Sequence, residues 1–173
     1  MTGTVIAIHL ARTSEAPIES VSEVRAVAGQ GLEGDRYFRM TGTYSNRPGR
    51  DREMTLIEAE AIEALEREQG IRIPVGDARR NLVTVGVAVN HLVGRDFWVG
   101  TVLLRGLRLC EPCAHLSKLI GTNVVPGLIH RGGLRAAIRT TGTVRVGDPI
   151  REATTEELSR IPPWEEPASA PGH

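Results

Sequence analysis

The chain has 173 residues, 40% of them hydrophobic and 24% charged, with 21 basic residues balancing 21 acidic ones. That length suits one compact domain around one core. The zero net charge gives no electrostatic case for nucleic acid or an anionic membrane as a partner.

Taken in chain order, residues 3–10 (GTVIAIHL) form a β-branched run and read as a strand. Residues 19–27 (ESVSEVRAV) alternate imperfectly, with Val24 off phase between Val21 and Val27, and read as one strand with a bulge. Three glycines within residues 29–34 make 29–37 a turn-rich loop, and 39–53 is expected to be a mobile polar loop around Asn46, Pro48 and Gly49. The period changes at 54–70: Ile57, Ala61, Ala64 and Leu65 share one helical face and Gly70 supplies the stop, so the main helix is expected over about 58–69.

A strand is expected at 79–89, then a turn, a short strand, a glycine turn and a longer strand over 89–110. Residues 113–121 read as a short helix, and 123–150 as strand, glycine-rich turn, strand, turn, strand. One short helix follows within 153–173, then a tail rich in Pro, Ala and Ser whose last ten or so residues are expected to be disordered. The expected organisation is a domain at 1–152 with a C-terminal appendage at 153–173. Many short strands broken by glycine turns, with one clear helix, predict a mainly β fold: a closed or strongly curved barrel with a few helices. Strands do not alternate regularly with helices, which excludes a parallel α/β sheet as the organising pattern. Six aromatic residues provide few stacking platforms for single-stranded nucleic acid.

No signal-peptide pattern opens the sequence, and no apolar run approaches the roughly 18 residues of a membrane span. A reducing cytoplasm with free thiols is therefore the expected setting.

Both cysteines lie in RLCEPCAHLSKL (108–119) as Cys110-Glu-Pro-Cys113. A structural zinc site needs four ligands, and the chain has neither a second cysteine pair nor a closely spaced histidine pair. A redox dithiol belongs in a βαβ setting that is missing here. Two inert, packed thiols would satisfy the pattern as well. Pro112 can open a helical turn, which would put Cys113 at a helix N-terminus where the backbone dipole favours a thiolate. Cys110, at the end of an apolar strand, is expected to pack inward.

Three polar clusters accompany the thiols. Asp35 and Arg36 follow two glycines, as a tight turn or as a close backbone approach to an anionic ligand. Arg79, Arg80 and Asn81 stand at a strand entrance, the two arginines as a solvent-facing pair, or Asn81 beside Arg80 as a donor to a polar heterocycle or phosphate. His130, Arg131 and Arg135 flank Gly132-Gly133, as a hairpin or as a ligand wall, with both arginines on one face if the chain is extended. Residues 29–34 spell G-x-G-x-x-G but open a polar loop instead of a helix, which argues against dinucleotide binding. Lys118 is the only lysine; the other twenty basic residues are arginines, a bias that composition explains or that anion recognition would use.

In order, GLEGDRY, MTLIEAEAIEAL, RRNLVTVGV, LVGRDFWVGTVLLRG, CEPCAHL, HRGGLRAAI and VGDPI resemble the MOSC domain, the C-terminal domain of molybdenum cofactor sulfurases, which also occurs alone in bacteria. The likeness runs over residues 3–150. It implies a β-barrel and makes Cys113 the functional thiol, carrying a persulfide or ligating molybdenum. It further implies that Arg80, Asn81, Arg131 and Arg135 line a pocket for the pterin and its phosphate, to which the residues above add Asp35, Arg36 and His130. The implied cofactor is molybdenum cofactor (molybdopterin), with no pyridoxal phosphate in this chain. The implied partners are a cysteine desulfurase, a molybdoenzyme or an electron-donor protein. Sulfur carriage, reduction of N-hydroxylated compounds and non-catalytic metal or ligand binding are the activities left open.

Overall fold

The computed structural model describes residues 2–47 and 49–165. Among the described residues, eleven strands and four helices follow one another along the chain. They are β1 (Thr2–Leu10), β2 (Glu19–Val21), β3 (Glu23–Val27), β4 (Gly31–Leu32), β5 (Met54–Glu58), α1 (Ala59–Gln69), β6 (Leu82–Val85) and β7 (Asp96–Val99). Then come β8 (Val102–Leu109), α2 (Ala114–Ile120), α3 (Val125–Leu128), β9 (Leu134–Ile138), β10 (Gly142–Arg145), β11 (Pro149–Glu152) and α4 (Thr155–Leu158).

Seven strands close into a ring in the order β1-β11-β7-β8-β9-β5-β6, and β6 pairs again with β1. Every neighbouring pair is antiparallel except β5 and β6, which run parallel because α1 carries the chain from one to the other. Closure removes the free edges that a sheet of this size would otherwise expose. β2 hangs on β1, and a second sheet, β10-β3-β4, lies beside the barrel.

Alternation divides the apolar residues between two cores. Val5, Leu56, Phe97, Leu104, Ala136 and Ile150 point into the barrel, where Val24, Ala26, Leu32 and Val144 from the small sheet join them. Ile57, Val83, Ala61, Ile62 and Leu65 pack outside it, between α1 and the wall, together with Leu116 and Leu128. α1 covers residues 59–69 with Gly70 as its left-handed C-cap at φ 66°, as the sequence predicts. No helix among the described residues is long and apolar enough to cross a membrane.

Three differences from the sequence reading have physical causes. The single strand at 19–27 is two, because the chain breaks at Ser22: β2 pairs with β1 and β3 with β10. Residues 54–58 are a barrel strand in full, buried alternately on both faces, before the helix starts at Ala59. Residues 125–128 form a helical turn where a strand was expected, with a proline in its first turn and Leu128 packed against α1. The expected disorder of the tail falls mostly on residues 166–173, outside the described residues.

Candidate functional site

One end of the barrel, where β1 and β8 finish and β5, β6 and β9 begin, holds a cavity of about 570 Å³, its open mouth included. Cys113, Arg36, Arg79, Arg80 and Arg135 line it, and so do Tyr37 and Tyr44 from the loop after β4.

Cys113 is exposed and is the N-cap of α2, as the proline before it predicts. Cys110 also borders the cavity but is 2% exposed, tucked inward at the end of β8. Both thiols are free. A thioredoxin-like dithiol puts its first cysteine at the helix N-terminus and the second inside the first turn. Here the helix begins only after the second cysteine, so Cys110 lies outside it. Among the described residues, no cluster of three or more His, Cys, Asp or Glu side chains could hold a metal ion.

Arg80 ties this end of the barrel together. It is 8% exposed, and its guanidinium donates to the carbonyls of Gly132 (2.9 Å), Ala78 (3.1 Å) and Cys110 (3.1 Å). The double glycine makes that approach possible. A Cβ on Gly132 would stand 2.6 Å from the Cys110 carbonyl oxygen, and one on Gly133 would stand 2.1 Å from that of Leu56. Gly133 also has φ 114°, a conformation reserved for glycine, and its carbonyl accepts from the Cys110 N–H at 2.7 Å. The thiol loop is thereby pressed onto the start of β9.

Asp35 and Asn81 do not line the cavity; they form a buried brace bonded to its lining residues Thr55 and Tyr37. Asn81 Oδ1 accepts from the Thr55 N–H and hydroxyl at 3.0 Å each, and its amide donates to the His9 carbonyl and to Asp35 Oδ1. Asp35 also accepts from the Ala11 and Tyr37 backbone N–H groups, both at 3.2 Å. Their place in this network satisfies both side chains internally and fixes the loop bearing Arg36 and Tyr37. Arg36 reaches the cavity, with its guanidinium carbon 5.1 Å from the Tyr37 ring centroid.

His130 and Arg131 lie away from the cavity lining. His130 is held outside by Glu111, whose carboxylate accepts from its backbone N–H at 2.9 Å and meets Nδ1 at 3.2 Å. Arg131 donates to the Gly127 carbonyl and pairs with Glu68 of α1 at 2.5 Å, which holds that carboxyl below the usual range. The two arginines do not share a face, because extended chain starts only at Leu134.

Arg79 was named in the sequence beside Arg80 but was not assigned to the ligand pocket. It takes a left-handed backbone, φ 55°, and donates to the carbonyls of Ser14 and Ala16, drawing the β1–β2 loop over the cavity. Burial and the nearby Arg36 charge push its pKa below the ordinary guanidinium value. Tyr37 and Tyr44 were likewise missed; only their nearness to Arg36 and Arg52 in sequence hinted at them.

Among the described residues, fifteen of the twenty arginines lie within 4.0 Å of a carboxylate. The other five are Arg39, Arg47, Arg79, Arg80 and Arg135, and the last three line this cavity. Arg135 Nε is buried there without a partner among the described residues. Three guanidiniums with no carboxylate partner among the described residues thus border the cavity of one exposed thiol.

A closed seven-stranded barrel with a thiol in a basic pocket at one end is the class of protein these features define. The chain belongs to the MOSC domain family, whose sequence profile matches residues 43–151, and the family is associated with molybdenum-cofactor binding. The YuaD protein from Bacillus subtilis has the same fold, with a TM-score of 0.73 at 17% identity over 87% of this chain and 94% of that one. YiiM from Geobacillus stearothermophilus gives 0.65 at 16% identity, over 88% and 75% of the two chains. YiiM from Escherichia coli gives 0.61 at 18%, over 89% and 70%. These likenesses show the fold. No curated protein matches the chain.

Proposed function

We propose that the cavity binds molybdenum cofactor, with Cys113 as the sulfur ligand and Arg36, Arg79, Arg80 and Arg135 as the anion-binding wall. The observation that carries this reading is the convergence on one exposed thiol of Arg79, Arg80 and Arg135, which have no carboxylate partner among the described residues. The donor set suits the group: a thiolate is a soft ligand for molybdenum, guanidinium forks match a phosphate, and tyrosine rings offer flat faces to a pterin. When bound, the cofactor supplies a metal centre that changes oxidation state. The chain's own part is to bind and orient. Arg135 Nε offers an unused donor, Arg36 places a cation over Tyr37, and the Asp35–Asn81 brace keeps that loop in place. The test is the pterin content of protein purified from a host that makes the cofactor, read as the fluorescence of its oxidised extract. Pterin is expected in the wild type and is expected to fall at least about tenfold in Arg135→Ala. Pterin-free wild-type protein defeats the reading.

A second reading, sulfur carriage, is favoured by the exposure of Cys113 at the cavity rim. The Cys113 thiolate would attack the terminal sulfur of a donor persulfide. That S–S bond breaks, the donor cysteine leaves as thiolate, and Cys113 keeps the sulfur as a persulfide without net oxidation. Incubation with a cysteine desulfurase and cysteine is then expected to add about 32 Da to Cys113. An unmodified Cys113 after that treatment excludes it.

A further inference from the structure

Three consecutive residues of the 3-10 turn Arg50–Arg52 reach three parts of the molecule. Arg50 faces the C-terminal segment: its guanidinium carbon lies 5.1 Å from the Trp164 ring centroid, and its Nη2 donates to the Ile138 carbonyl at 2.7 Å. Just past β9, Arg139 donates to the Pro162 carbonyl and pairs with Asp96 at 2.9 Å, so residues 161–165 are held across the turn. Asp51 contacts Arg135 of the cavity wall. Its carbonyl accepts from Arg135 Nη1 at 3.3 Å, while its carboxylate accepts from Arg108 Nη2 at 2.6 Å. The Arg52 guanidinium carbon lies 5.5 Å from the centroid of Tyr44, which lines the cavity.

Trp164 Nε1 is buried and has no acceptor among the described residues. The indole is therefore held by its ring face on a cation and not by its N–H. Glu53 closes the turn from below: it is 5% exposed, pairs with Arg50 and accepts from the Ile138 N–H at 2.7 Å.

We propose that residues 161–165 are a positioning strap for the ligand cavity. Trp164 on Arg50 fixes the turn, and through the Asp51 carbonyl and the Arg52 guanidinium the turn fixes Arg135 and Tyr44 at the cavity wall. This rests on the reading of the cavity as an anion site. Trp164 acts through Arg50 and is a positioning residue. Since coupling between two sites is reciprocal, an anion in the cavity must also alter the surroundings of Trp164.

The test uses the full chain and inorganic phosphate at constant ionic strength. Protection of Cys113 from iodoacetamide reports cavity occupancy, and Trp164 emission, isolated by Trp98→Phe, reports the strap. Phosphate is expected to slow alkylation and to change Trp164 emission with the same midpoint. Trp164→Ala is expected to raise that midpoint about fivefold, and Trp164→Phe, which keeps a ring face, to recover most of the loss. The emission titration needs only the Trp98→Phe protein, so it decides the matter even if Trp164→Ala folds poorly. Phosphate protection at an unchanged midpoint in Trp164→Ala, with silent emission in Trp98→Phe, overturns the strap while leaving the anion site standing. A wild type that phosphate does not protect overturns both.

Discussion

Arg80 is bonded to the backbone of Cys110: its Nη2 donates to the carbonyl oxygen of that residue at 3.1 Å. The buried arginine thus holds the thiol loop in place through main chain, independently of either sulfur. Replacing it with alanine orphans the carbonyls of Gly132, Ala78 and Cys110. A loss of about 3 kcal/mol in urea unfolding is expected for Arg80→Ala. Arg80→Lys is expected to recover less than half, because an ammonium lacks the planar fork that reaches three acceptors. Arg135→Ala, which removes one backbone bond and an unpartnered Nε, is expected to cost under about 1 kcal/mol while still weakening anion binding.

The two cysteines are expected to separate by role. Cys113→Ser changes an exposed atom, so stability should move by less than about 0.5 kcal/mol while persulfide formation and molybdenum retention are lost. Cys110→Ser puts a hydroxyl into a site 2% exposed and should cost about 1–3 kcal/mol while leaving sulfur uptake at Cys113 intact. Chemical denaturation and intact-protein mass spectrometry check both halves.

Gly133→Ala should be among the most damaging single-methyl changes. The added carbon would stand 2.1 Å from the Leu56 carbonyl oxygen, and φ 114° is strained for any L-residue. A destabilisation above about 2 kcal/mol is expected, read as a fall in the unfolding midpoint.

His9 sets the acid limb of stability. It is 5% exposed, Nδ1 has no partner among the described residues, and burial pushes its pKa down. The unfolded chain therefore takes up this proton first, and stability falls as pH drops below the ordinary imidazole value of about 6.5. Burial pushes Glu53 and Glu58 the other way, so their folded forms bind protons first and gain stability as the pH falls. Denaturation midpoints measured between about pH 7.5 and pH 5.5 should fall in the wild type and flatten in His9→Gln.

The barrel was legible because its code is local: β-branched runs of period two, punctuated by glycine, need no knowledge of partners. Residues 54–58 were hidden because a five-residue strand joined to a helix extends the same apolar pattern, and only the pairing with β6 and β9 tells the two apart. The thiol's position was legible from Pro112. The arginine wall was legible only in part, since Arg80 and Arg135 meet at the cavity while Arg131, four residues before Arg135, is drawn to Glu68. That choice depends on a carboxylate sixty-three residues away in sequence. Arg79 shows the same difficulty: its direction is set by a left-handed backbone and by two carbonyls of a distant loop.

Cys113 as a molybdenum ligand is tested most directly by metal analysis of wild-type and Cys113→Ser protein purified side by side from a host that makes the cofactor. The expected result is molybdenum approaching one atom per chain in the wild type and a drop of about tenfold or more in the variant. Wild-type protein free of molybdenum, or equal loading of the two proteins, would contradict it.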